Sequence, residues 1–234
     1  MDPDVVVALT DYGLAVECAV FAGILWRGRR PLPYLDGRFA AFFGATALAA
    51  LVGGTFHGFT PDDQRLPGAL LWRVTLLAIG LAATAAWQVG AGLLLSPSMA
   101  RWVSLAATLT FVGYAAVVIF VTQRFSIAIA NYLPAALFLL GAFGVGYRRT
   151  GARPALLGMV GLGLSILSSG LQQAGIGLHP VYFNHNALYH LLQAVAFILI
   201  FLGALSLAPF GGGEVVSEPR GGVANLTREN RARS

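Results

Sequence analysis

Seven apolar runs, each near the length of one membrane crossing, take up almost the whole chain. They cover about residues 6–26, 39–59, 68–95, 102–121, 126–147, 155–177 and 185–207, and a helix needs about 20 apolar residues to cross a bilayer core. The breaks between them are short. Ser96-Pro97-Ser98 is a tight turn and Gln123-Arg124 a two-residue link. Only 11% of the 234 residues are charged, against about 25% in a soluble domain. These patterns predict an all-α integral membrane protein, a seven-transmembrane helix bundle over residues 1–208. The tail, 209–234, is Gly-rich and charged from Gly211 onward. It has too little apolar surface to offset its ordering entropy, so a disordered cytoplasmic tail is expected.

The charges give the expected orientation. Arg27, Arg29, Arg30 and Arg38 flank the first loop. Arg101 follows the third run; Arg148, Arg149 and Arg153 follow the fifth; Arg220, Arg228, Arg231 and Arg233 are in the tail. With the N-terminus outside, these 12 of the 15 basic residues fall on the inner side, as the positive-inside rule asks. The prediction is N-out, C-in, multi-pass in the cell membrane. Met1-Asp2-Pro3-Asp4 is acidic and unlike the basic start of a cleaved signal, so the first run itself should direct insertion. Trp26, Trp72, Trp102 and Tyr147 fall at run ends, as an interfacial belt would.

Composition also excludes functions. Every basic residue is Arg, so no lysine amine can form a Schiff base. The lone Cys18 rules out an internal disulfide and cysteine zinc clusters. The pI near 9.9 comes from Arg at run borders and in the tail, which points to a membrane surface and not to nucleic acid.

The chemistry-bearing side chains collect toward one end of the bundle. His57 ends the second run, His185 and His190 open the seventh, and Arg73 lies about a turn inside the third. Asp11 is similarly placed in the first run, and Gln172 and Gln173 are near the end of the sixth. Polar groups in apolar helices are expensive and usually face a cavity with a task. Three imidazoles suit zinc, with water as the fourth ligand. His185 and His190 are five apart, about 140° round a helix. Asn186 and His190 are the true i, i+4 pair. His185 turns inward only if Asn184 or His185 itself is non-helical. Interfacial histidines that merely tie helix ends together fit the same positions.

Other features carry less chemistry. Gly161, Ser165, Ser169 and Gln173 recur every fourth residue, and the small ones suit close helix packing. Gly141 and Gly144 are read as packing positions, and Pro134 as a kink near Asn131. Glu17, in mid-run, is expected either neutral and hydrogen-bonded or paired with Arg73.

Gly53 to Phe59, with Phe56-His57, together with the His-bearing opening of the seventh run, resembles the superfamily of alkaline ceramidases and progestin/adiponectin-type receptors. That resemblance implies a zinc site in which His57 is one ligand and His190 the second histidine of an HxxxH. Asn186 stands where the motif's first histidine is expected, with His185 one residue early. Gly53 stands at the family's serine, and Asp62 and Asp63 come too soon for its acidic residue. Residues 184–193 are also similar to a motif of bacterial seven-span proteins.

Two functions follow as expectations. One is a zinc-dependent hydrolase of a membrane lipid amide or ester. His57, His185 and His190 bind the metal, Asp11 or a loop Asp is the base, and Arg73 holds a head group or oxyanion. Asn186, Gln172 and Gln173 surround the metal ligands. The other is a non-enzymatic receptor-like or accessory protein. No inverted repeat or broken helix pair supports a transporter.

Overall fold

The computed structural model describes residues 3–27, 33–59, 65–179 and 183–207. The described residues form seven α-helices: α1 (Pro3–Arg27), α2 (Pro33–Phe59), α3 (Leu66–Leu94), α4 (Pro97–Phe120), α5 (Phe125–Thr150), α6 (Arg153–Gln173) and α7 (His185–Leu205). All seven are long and apolar enough to cross a membrane. They coincide with the seven apolar runs, most of them extending a few residues past the apolar edge. Helix α6 stops four residues before the end of its run, where Gly175 takes a left-handed turn (φ 69°) that glycine alone enters cheaply. The tail from Gly211 and the Asp62–Asp63 loop lie outside the described residues.

The helices close into a ring. Helix α1 packs on α2, α2 on α3, α3 on α5, α5 on α6, α6 on α7, and α7 back on α1. Helix α4 stands outside the ring against α3. Only 17% of its most apolar window is buried, against 33–50% in the other helices, so it contributes no inner wall.

Small residues set the closest approaches. A Cβ on Gly161 would lie 2.6 Å from the Ala196 carbonyl of α7, and one on Gly203 would lie 2.7 Å from the Pro154 carbonyl. Neither backbone can give way, so α6 and α7 touch because both positions are glycine. Gly54 likewise admits α1: its Cβ would lie 2.8 Å from the Asp11 Cβ. Gly141, expected to pack, has nothing within 4 Å, and Gly144 meets only Met159 at 3.8 Å. Helix α5 runs through Pro134 without a break.

The two ends of the ring differ. Toward the basic end, Phe42, Phe43, Phe197 and Phe201 interlock edge to face, with centroids 5.2–6.2 Å apart. Phe21 stacks on Phe201 at 4.1 Å. This aromatic plug is the core of the bundle. Toward the opposite end the ring is hollow.

Candidate functional site

The hollow is a cavity of about 550 Å³. All six ring helices line it and α4 does not. Its walls are mostly apolar, with Leu14, Ala50, Ile79, Ala136 and Phe197 among them. Polar side chains gather near the starts of α1 and α7 and the ends of α2 and α6. That combination, apolar walls and a few convergent polar groups, is the usual form of a small-molecule site.

Helix α7 presents Asn186, His190, Gln193 and Phe197 to the cavity. The spacing of four, three and four residues is one helix face. The phase of that face is set at its start. Asn184 is the N-cap, with extended geometry (φ −66°, ψ 174°), and its side chain accepts from the amides of Asn186 and Ala187 at 3.1 and 3.0 Å. The helix therefore begins at His185, and His185 is carried off the cavity wall. Gly177 fits here because the chain before α7 crosses it closely; a Cβ would lie 2.8 Å from the Phe183 carbonyl.

His190 is the centre of the site. Its Nε2 lies 3.1 Å from Asp11 Oδ1, and its Nδ1 lies 3.0 Å from Thr10 Oγ1. The Thr10 hydroxyl donates its one proton to the Val7 carbonyl at 2.8 Å. It therefore accepts from His190 Nδ1–H, which assigns the tautomer from the hydrogen-bond network. The Nε2 lone pair of that tautomer faces a carboxylate oxygen. Two acceptors at 3.1 Å need a cation between them, and a proton or a metal ion meets that need. Asp11 is 5% exposed, deep enough that this partner decides its state. Its second oxygen, Oδ2, lies beside Gly53, 4.0 Å from where a Cβ would stand. Asp11 and Gly53 both line the cavity.

The other expected site residues divide. His57 is on the cavity wall, against Phe56 and Trp72 at centroid distances of 5.4 and 6.4 Å. It is within electrostatic reach of His190 and of Asp4. Gln172 and Gln173 line the cavity mouth, where Gln172 Nε2 donates to Asn186 Oδ1 at 3.0 Å and Gln173 Nε2 to Gln172 Oε1 at 2.9 Å. His185 and Arg73 are not on the wall.

Arg73 turns to the α4–α5 link. With the Gln123 amide oxygen facing it, its Nε and Nη2 both donate at 3.0 Å. Its neighbour Trp72 donates from Nε1 to the Gln123 carbonyl at 2.9 Å. Trp72 is thus a clamp and cavity-wall residue at its helix end, whereas Trp26 and Trp102 are exposed. Glu17 does not pair with Arg73, and its Oε1 is buried with no hydrogen-bond partner.

A zinc site in the expected form, His57 with His185 and His190, is not assembled. Among the described residues, no three His, Cys, Asp or Glu side chains converge closely enough to hold a metal ion. Two donors are in place, since the 3.1 Å between His190 Nε2 and Asp11 Oδ1 suits ligands bound at about 2.0–2.2 Å to one ion. Thr10 and Tyr189, which sequence reasoning passed over, complete the surroundings. Thr10 fixes the His190 ring, as a buried partner on the second nitrogen does for metal-binding and catalytic histidines.

Residues 6–209 match a family of unknown function, DUF6962, and the chain belongs to that family. No curated protein and no solved structure matches it.

Proposed function

We propose that this is a multi-pass membrane protein, N-terminus outside, that takes an amphipathic lipid into the ring and hydrolyses an amide or ester near its polar end. The observation that carries this reading is the buried Asp11–His190 pair, held by Thr10, at the polar head of an apolar cavity. The apolar walls suit an acyl chain. The arginine-rich loops orient the cavity mouth toward the outer face.

The chain's own residues supply acid–base chemistry. Both His190 nitrogens are engaged, so the base is Asp11 through Oδ2, on the Gly53 side of the cavity wall. Asp11 takes a proton from water as the water oxygen attacks the carbonyl carbon. His190 stabilises the charge on the pair. The proton then passes to the leaving nitrogen or oxygen as its bond to the carbonyl carbon breaks. Asn186 and Gln172 face the same space and suit a polar head group. A zinc ion held by Asp11, His190 and a repositioned His57 would lower the pKa of bound water to about 7 and polarise the carbonyl. This ligand set replaces His185 with Asp11. The ceramidase and receptor resemblance enters the proposal on the same terms: His57 and His190 keep their expected places, and an aspartate from α1 joins them.

A second reading, ligand binding without turnover, is favoured by one observation: among the described residues no three metal-binding side chains converge. In that case the Asp11–His190 pair holds a head group in a receptor-like or accessory protein.

The test is mass-spectrometric analysis of lipid amides and esters incubated with the purified protein in bilayer nanodiscs. Wild type should release free fatty acid, and Asp11→Asn should lose activity by about a hundredfold or more, the scale of a general base. Retention of a lipid with no product would establish the binding reading instead. Metal analysis of the same samples reads zinc separately from turnover.

A further inference from the structure

The cavity has a second polar pole, one helical turn deeper than the first. Gln193 is 3% exposed and lines the wall. Its Nε2 donates to Tyr189 Oη at 2.9 Å. Ser169, also on the wall, gives its proton to the Ser165 carbonyl at 3.0 Å. The bond to Tyr189 Oη holds the amide. Gln193 Oε1 is left buried and without a hydrogen-bond partner. A buried acceptor with no donor is costly, and native interiors rarely leave one unless something else fills the need.

We propose that Gln193 Oε1 is the specificity-determining contact of the cavity, and that it takes an N–H or O–H donor carried by the bound lipid. The proposal rests on the reading that an amphipathic lipid occupies the ring with its polar end at Asp11 and His190. Gln193 is three residues past His190 on the same face, about 4.5 Å along the helix axis. The donor therefore sits that far inward from the lipid's polar end. A hydroxylated or amide-bearing chain satisfies Oε1. A chain with no donor at that depth leaves it unpaired, and the site rejects it. Tyr189 is a positioning residue, since it holds the amide.

The test uses two probes that cannot be hydrolysed, tetradecane-1,3-diol and tetradecan-1-ol. Their binding to the full chain in nanodiscs is measured against their partitioning into protein-free nanodiscs. Both present a terminal hydroxyl to Asp11, and only the diol has the inner donor. The diol should bind about tenfold more tightly, the worth of one buried hydrogen bond whose loss strands its partner. Gln193→Met should abolish that preference by weakening the diol alone. If that variant does not fold, the wild-type comparison still decides. Equal binding of the two probes to wild type, as a resident water on Oε1 would produce, overturns the assignment of Gln193 and leaves the lipid cavity standing. Failure of both probes to bind overturns the lipid cavity and the assignment with it.

Discussion

At the scale of single residues, the site is a matter of proton direction. Thr10 has no charge and sits in an apolar helix, yet its donation to Val7 decides which nitrogen of His190 carries the proton. Thr10→Val should strand a buried N–H and cost about 1–3 kcal/mol, read as a lowered unfolding midpoint in detergent. Thr10→Ser keeps the hydroxyl and should recover most of it. A Thr10→Val protein as stable as wild type would show that the ring is held by other contacts. Much of this layer was not legible in the sequence. His57, His190 and Asp11 could be placed at one depth, because depth follows from counting residues along a helix. Direction round the helix could not, which is why Arg73 and His185 share that depth yet miss the wall. Thr10 gave no signal either, since its partner is 180 residues away and only the α1–α7 contact brings the two together.

At the scale of elements, apolar length fixed the helices and glycine fixed their spacing. The seven runs were readable because no other backbone arrangement satisfies so long an apolar stretch in a bilayer. The ring order was not readable. Helix α5, not α4, follows α3 round the ring, and nothing in the apolar runs marks α4 as the outsider. The every-fourth-residue series in α6 had two meanings on one face. Gly161 meets α7, while Ser165 and Ser169 line the cavity. Gly161→Val should push against the Ala196 carbonyl and destabilise the bundle by about 1–3 kcal/mol. Gly163, with nothing within 4 Å, should accept alanine without loss. Equal effects of the two substitutions on the thermal midpoint would count against the α6–α7 contact.

At the scale of the whole molecule, the bundle is plugged by phenylalanine at its basic end and hollow at the other. The proposed orientation turns the hollow outward, and a reporter fused after Ser234 should then read cytoplasmic. An external signal would reverse the orientation while leaving the ring intact. The central claim is that the hollow holds one amphipathic lipid, and it can be read directly. Ala136 is 2% exposed and on the cavity wall, so Ala136→Phe fills the space a chain would use. Native mass spectrometry of protein released from lipid nanodiscs should find wild type carrying a single lipid mass. The Ala136→Phe protein, folded by its thermal midpoint, should carry none. Equal lipid retention by the two proteins would contradict the account.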